Sequence, residues 1–211
     1  MSKPRIILAD DHRIVLEGLR GLLEEHFDLV GTATNGRELI AETLRLKPDV
    51  VVADISMPLL NGIDAVQQLR EAGCRVKVVF LTMHADPTYA TRAMQAGASG
   101  YVLKHSASDE LVTAIEAALR HRTFVSPAVN SDAMAEALAG PAPAAIEITG
   151  RQREVLQLLA EGKSAKEIGG ILGISARTVE AHKYRMMDDL GVKSSAQRVQ
   201  YAIRHGIGSV Q

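Results

Sequence analysis

VVADISMPLLNG, Val51–Gly62, is the stretch that decides how this chain folds. With Val50 before it, the run VVVA is short, apolar and β-branched, which reads as a strand buried on both faces. The run breaks on a carboxylate, Asp54, and then on a loop carrying Met57-Pro58 and Asn61-Gly62. An unpartnered carboxylate is costly to bury, so Asp54 is expected at the strand end, held there for use.

Working outward, residues 1–125 alternate strand-like and helix-like segments. The strand candidates are Arg5–Ala9, Leu29–Thr34, Val50–Ala53, Val76–Leu81 and Gly100–Leu103. Between them, helical spacing appears at Val15, Leu19, Leu22 and Leu23, and again at Leu39, Ile40, Thr43 and Leu44. Ile63, Val66 and Leu69 mark a third helix, Tyr89 to Ala96 a fourth, and Leu111, Ile115 and Ala118 a fifth. Five βα repeats predict an α/β fold: a doubly wound, five-stranded parallel sheet with helices on both faces.

In such a sheet, ligands bind beyond the carboxyl ends of the strands, at the topological switch point. The residues found there are Asp10-Asp11 after the first strand, Asp54 after the third, Thr82 after the fourth and Lys104 after the fifth. Three acids, a hydroxyl and a lysine converging on one edge suit phosphoryl transfer to a carboxylate. Hard oxygen donors favour Mg²⁺, and an aspartyl-phosphate is an established covalent species. Lys104 and Mg²⁺ would neutralise the transferring charge, with Asp54 as nucleophile and Asp10 and Asp11 as metal holders. Taken singly, Asp10 also reads as a helix N-cap, Lys104 as a solvated lysine and Tyr101 as an aromatic at the core edge.

The 211 residues carry a formal net charge of -1, one cysteine and no tryptophan. A single cysteine, Cys74, excludes a disulfide framework and a Cys-based zinc site. No apolar run approaches a membrane span and the N-terminus meets acids early, so a cytoplasmic protein without a membrane partner is expected. The charge is uneven. Residues 148–211 hold 10 Lys and Arg against 6 Asp and Glu, while the rest of the chain has an acidic excess. An acidic front and a basic back suggest two domains with different partners. Between them, residues 126–147 are rich in Ala and Pro; a short helix over Ser131–Leu138 and a linker at Gly140–Pro143 are expected.

LADDH at Leu8–His12, DISMPLLNG at Asp54–Gly62, FLTMH at Phe80–His84 and GYVLK at Gly100–Lys104 resemble the receiver domain of bacterial response regulators. The resemblance covers residues 1–125 and implies a flavodoxin-like fold. It makes Asp54 the phosphoacceptor, charged from a sensor histidine kinase. Mg²⁺ would be held by Asp10, Asp11, Asp54 and the backbone carbonyl of Ser56. Thr82 and Lys104 would grip the phosphoryl oxygens, and Tyr101 would swing inward when Thr82 moves. His84, two residues after Thr82, occupies a place where receivers tune phosphate lifetime.

From Thr149 onward the pattern is helical only. Thr149 with Gln152 has the form of a capping box; Gly162 ends that helix, Ser164 caps a second that stops at Gly173, and Ser175 caps a third. Two short helices joined by Gly-Ile-Ser form a helix-turn-helix signature, although periodicity alone equally allows a four-helix interaction bundle. The wording of Thr149–Gln197, TGRQREVLQLLAEGKSAKEIGGILGISARTVEAHKYRMMDDLGVKSSAQ, resembles the LuxR-type DNA-binding domain. The two halves together are similar to response regulators of the NarL/FixJ family.

That resemblance implies a recognition helix at Ser175–Leu190 and homodimers on paired half-sites of double-stranded DNA. Arg177, Thr178, Glu180, Ala181, Lys183, Tyr184 and Arg185 are its candidate DNA contacts, with Lys163 and Lys166 near the backbone. It also implies a regulator that catalyses only its own phosphorylation and dephosphorylation. Two departures stand out. Asp188-Asp189 precede Leu190 where the family carries a lysine, and Gly169-Gly170 stand where it favours alanine, softening that helix by up to ~1 kcal/mol per glycine. Two rival readings remain. An Asp-nucleophile phosphatase would place a general acid where Ser56 stands, and a protein-interaction module would show no salt-sensitive DNA binding.

Overall fold

The computed structural model describes residues 2–129, 148–192, 194–204 and 207. The chain divides into two compact units, each described by itself. In the first, strands β1 (Arg5–Ala9), β2 (Asp28–Ala33), β3 (Val50–Ala53), β4 (Lys77–Thr82), β5 (Gly100–Leu103) and β6 (Phe124–Val125) form one sheet. Their order is β2-β1-β3-β4-β5-β6, and every pairing is parallel. Helices α1 (Arg13–Leu23), α2 (Gly36–Leu46), α3 (Gly62–Glu71), α4 (Pro87–Gln95) and α5 (Ala107–Leu119) make the crossovers.

The core explains the apolar runs. Ile6, Leu8, Val50, Val52, Val79, Leu81 and Val102 pack on one face against Leu19 and Leu23 of α1 and Leu111, Ala114, Ile115 and Ala118 of α5. The alternate residues Ile7, Val51, Val78 and Phe80 are equally buried and belong to the opposite face. Each such side chain contributes ~1.5–3 kcal/mol of burial, so a charge at Val51 or Val52 would break the centre of the sheet. Helix starts are set by side-chain caps. Asn35 accepts from the Arg37 and Glu38 amides, Asn61 from Asp64, and Asp86 from Thr88 ahead of Pro87.

The strand order reverses between β1 and β3, so the switch point opens between the carboxyl ends of these strands. Here Gly62 is required for its lack of a side chain. A Cβ would lie 2.2 Å from the Asp54 carbonyl oxygen, and the Gly62 N–H donates to the Ile55 carbonyl at 2.9 Å. The β3–α3 loop therefore closes tightly behind Asp54.

Two strand starts differ from the sequence reading for local reasons. Strand β2 starts at Asp28, whose N–H donates to the Pro4 carbonyl at 2.9 Å. Strand β4 starts at Lys77, the carbonyl of Val76 being taken by the Arg70 guanidinium at 2.8 Å. The sheet also gains β6, two residues paired with Gly100 and Tyr101, too short to leave a periodic signal. The expected helix Ser131–Leu138 and linker Gly140–Pro143 lie outside the described residues.

The second unit holds α6 (Gly150–Ala160), α7 (Ala165–Leu172), α8 (Ala176–Asp189) and α9 (Ser195–Arg204). Capping boxes form at Thr149/Gln152 and Ser164/Glu167, and Ser175 accepts from the Thr178 amide. Gly162 (φ +79°) closes α6: its own N–H donates to the Leu159 carbonyl and that of Lys163 to Leu158. Val155, Leu158, Ile168, Leu172 and Val179 form one cluster; Ile148, Leu156, Met186, Ala202 and Ile207 form another. The glycine pair in α7 corrects the expectation of two equal soft spots. A Cβ on Gly169 would meet the Ile174 carbonyl at 2.7 Å, so the α7–α8 turn needs glycine there, whereas Gly170 faces open space.

Candidate functional site

Asp10 follows β1, Asp54 follows β3, Thr82 ends β4 and Lys104 follows β5, so four strands deliver four polar groups to one edge. Lys104 Nζ sits 2.6 Å from Asp10 Oδ2 and 2.8 Å from Asp54 Oδ2, joining the two carboxylates across the switch point. The three side chains are 13%, 2% and 5% exposed, so this ion contact is little screened by water. The Ser56 N–H donates to Asp54 Oδ1 at 3.2 Å. Burial raises the Asp54 pKa above the ordinary carboxylate value; Lys104 opposes the rise and Asp10 adds to it. For Lys104, burial acts to lower the pKa, but Asp54 and Asp10 outweigh it and the net direction is up.

Asp11 lies outside the lysine contact. Its Oδ1 is 2.9 Å from His12 Nδ1, and the same ring nitrogen is 3.2 Å from Asp10 Oδ1. Asp10, Asp11 and His12 each bring one ligand-capable atom within 4.8 Å of the others. Asp10 Oδ2 and Asp11 Oδ1 are sealed from solvent, and each meets a single cationic or ring nitrogen, Lys104 Nζ and His12 Nδ1 respectively. Buried anionic oxygens left in that condition fit a hard divalent cation. The acidic pocket is present; the softer His12 nitrogen is its odd member.

A second layer closes over the site. Thr82 is fully buried and its Oγ1 accepts from the His84 N–H at 3.2 Å. Ser56 Oγ and His84 Nε2 share a hydrogen bond of 2.9 Å, and the His84 ring stacks on Tyr89 with centroids 4.2 Å apart. Burial lowers the His84 pKa, disfavouring the imidazolium. Tyr101 is fully buried, and its hydroxyl donates to the His84 carbonyl at 2.6 Å. The aromatic expected to swing inward is already inward in this structure, and burial pushes its phenol pKa up.

In the second unit, α8 offers one exposed face. Arg177, Thr178, Ala181, Tyr184 and Arg185 are exposed, Tyr184 at 76%. Helical spacing places Asp188 on the same face, at its C-terminal end. Glu180 and Lys183 are half-buried at its flank and paired with each other at 3.1 Å. Lys163 and Lys166 are carried by the α6–α7 turn and the first turn of α7.

Residues 6–116 match the response regulator receiver domain, and residues 147–202 match the bacterial regulatory proteins of the LuxR family. This chain belongs to the response regulators with a LuxR-type DNA-binding domain. Among its relatives is the transcriptional regulatory protein MctR of Rhizobium johnstonii, 37% identical over 98% of this chain and 96% of that protein. A LuxR-family two-component response regulator from Aurantimonas sp. SI85-9A1 is 38% identical, with TM-score 0.61 over 66% of this chain and all of that one. RcsB from Salmonella enterica serovar Typhimurium, bound to promoter P1flhDC in the presence of the phosphomimetic BeF3-, is 29% identical, with TM-score 0.60 over 95% of this chain and 98% of that one.

In this response regulator, Lys104 joins Asp10 and Asp54, Asp11 meets His12 beside Asp10, and Thr82 and Tyr101 are both bonded to the backbone of His84. The sequence flagged His84 as a neighbour without its bond to Ser56, and it did not single out Ser126 or Glu110. Ser126 is buried beside β5, where Glu110 accepts from its hydroxyl. A lone serine before Pro127 reads as the start of a loop, so no sequence signal marked it. Among the described residues no helix is long and apolar enough to cross a membrane.

Proposed function

We propose that this response regulator is switched by phosphorylation of Asp54, with a sensor histidine kinase as donor. The observation that carries the reading is Lys104 Nζ held between Asp10 and Asp54 at the switch point. The Asp54 carboxylate attacks phosphorus as the bond to the donor histidine nitrogen breaks. Ser56 orients that carboxylate through its N–H. Lys104 then turns its ammonium from the Asp54 carboxylate to the phosphoryl oxygens, and Thr82 donates its hydroxyl to another. Asp10, Asp11, Asp54 and the Ser56 carbonyl would hold Mg²⁺, which when bound supplies charge neutralisation on the transferring group. The sealed oxygens of Asp10 and Asp11 support that metal site.

The domains run 1–125 and 148–211, with the interval as linker, and the acceptor works in the cytoplasm with its kinase and DNA. Helix α8 enters the major groove. Arg177 and Arg185 suit phosphate or guanine, Thr178 phosphate, and Ala181 a thymine methyl, with Tyr184 beside them. The Glu180–Lys183 pair leaves Lys183 a weaker phosphate contact than an unpaired lysine. Lys163 and Lys166 touch the backbone. Homodimers formed on phosphorylation match half-sites one helical turn or a multiple apart, as the DNA-bound RcsB dimers support by analogy.

Intact mass after incubation with acetyl phosphate tests the acceptor. One Mg²⁺-dependent phosphoryl group, absent from Asp54→Asn, is expected. Continuous turnover of acetyl phosphate with no retained group would favour the phosphatase reading instead.

A further inference from the structure

The last described residues of the first unit are fastened to the strand that carries Tyr101 and precedes Lys104. The Ser126 N–H donates to the Tyr101 carbonyl at 2.8 Å. The Ser126 hydroxyl accepts from the Leu103 N–H at 3.1 Å and donates to the Glu110 carboxylate of α5. Upstream, the Phe124 N–H donates to the Ser99 carbonyl; downstream, the Val129 N–H donates to the Ser126 carbonyl at 2.9 Å. Ser126 is 1% exposed and every polar atom of it is engaged. The two backbone groups that flank Val102 in β5, the Tyr101 carbonyl and the Leu103 N–H, are thus bonded to one serine. That serine is the first residue of the stretch joining the two domains in sequence.

We infer that Ser126, locked by Glu110, is a clasp through which a change at the Asp54 edge reaches the inter-domain segment. The inference rests on the reading of Asp54 as phosphoacceptor and adds to it the route of transmission. A movement of β5 that follows the transfer of Lys104 from Asp54 to a phosphoryl group is passed to Ser126 through these bonds. Residues 127–129 therefore report the state of β5. Ser126 is a positioning residue: it touches neither donor nor phosphoryl group.

Hydrogen exchange on the full chain tests this, comparing the protein alone with the protein in Mg²⁺ and beryllium fluoride. In the wild type, exchange is expected to change both in loops 56–62 and 82–86 and in segment 124–129. In Ser126→Ala and Glu110→Ala the loop response is expected to persist while the 124–129 response falls at least threefold; Glu110→Gln, which keeps an acceptor, should retain it. A wild-type response confined to the loops, or an undiminished 124–129 response in Ser126→Ala, overturns the clasp and leaves the Asp54 reading standing. No response in either region overturns the acceptor reading, and the clasp with it. Glu110→Ala keeps the test open should Ser126→Ala fail to fold.

Discussion

Replacing Lys104 by methionine removes the only cation in contact with both Asp10 and Asp54 among the described residues. At ~4 Å between charge centres and an effective dielectric of ~20, each contact is worth ~4 kcal/mol gross, most of it offset by desolvation of the three ions. Truncating one partner of a buried ion cluster strands the others, which typically costs ~3–5 kcal/mol. Lys104 keeps 13% exposure, and the stranded acids can take up protons, so the cost falls at or just below the lower end of that range: ~2–3 kcal/mol at pH 7.5. For a receiver-sized domain that lowers the first unfolding transition by roughly 8–12 °C. The pH dependence has a definite sign. The Asp54 pKa is already above its ordinary value in the folded chain and rises further without Lys104. A carboxylate with a raised folded pKa binds protons more tightly when folded, so the variant gains stability as pH falls through that pKa toward the unfolded value. The deficit should therefore shrink between pH 7.5 and pH 5. Mg²⁺ should shrink it too, by placing another cation among the same oxygens. Scanning calorimetry of the full chain at both pH values reads the effect. A variant within ~0.5 kcal/mol of wild type at pH 7.5, a difference typical of sites away from any buried charge, would refute the role given to Lys104.

Further outcomes are expected elsewhere. Gly170→Ala should stabilise the second unit by ~0.5–1 kcal/mol, and Gly169→Ala should destabilise it because its Cβ meets the Ile174 carbonyl at 2.7 Å; urea titration of both variants separates them. Arg185→Ala should weaken DNA binding and reduce the slope of log affinity against log salt by ~0.9 if the side chain touches phosphate, measured by fluorescence anisotropy across salt concentrations. Asp188→Asn should strengthen binding across sequences in the same assay, since its carboxylate shares the exposed face of α8.

The receiver edge was legible because strand ends are the positions where polar residues interrupt apolar runs. Asp10, Asp54 and Lys104 each follow such a run, and the switch-point rule brings them together without further information. Strand β6 left no trace because Phe124 and Val125 are too few to show a period, and Ser126 because its partners, Leu103 and Glu110, are distant in sequence. Pairing within a helix was equally hidden. Glu180 and Lys183 both read as outward residues, and only the folded helix shows them on each other. The glycine pair shows the same limit. Propensity assigns Gly169 and Gly170 one cost, whereas the close approach of the Ile174 carbonyl makes the first a requirement and leaves the second a weakness.

The most direct test of the proposed switch is selection of DNA from a random duplex library by the full chain, with Mg²⁺ and beryllium fluoride and without them, beside Asp54→Asn. The expected result is enrichment of paired half-sites about one helical turn or a multiple apart, bound at least tenfold more tightly in the loaded wild type and unchanged by loading in the variant. Equal enrichment and affinity in all samples would contradict control of DNA binding from Asp54. It would leave two domains joined in one chain without the coupling proposed for them.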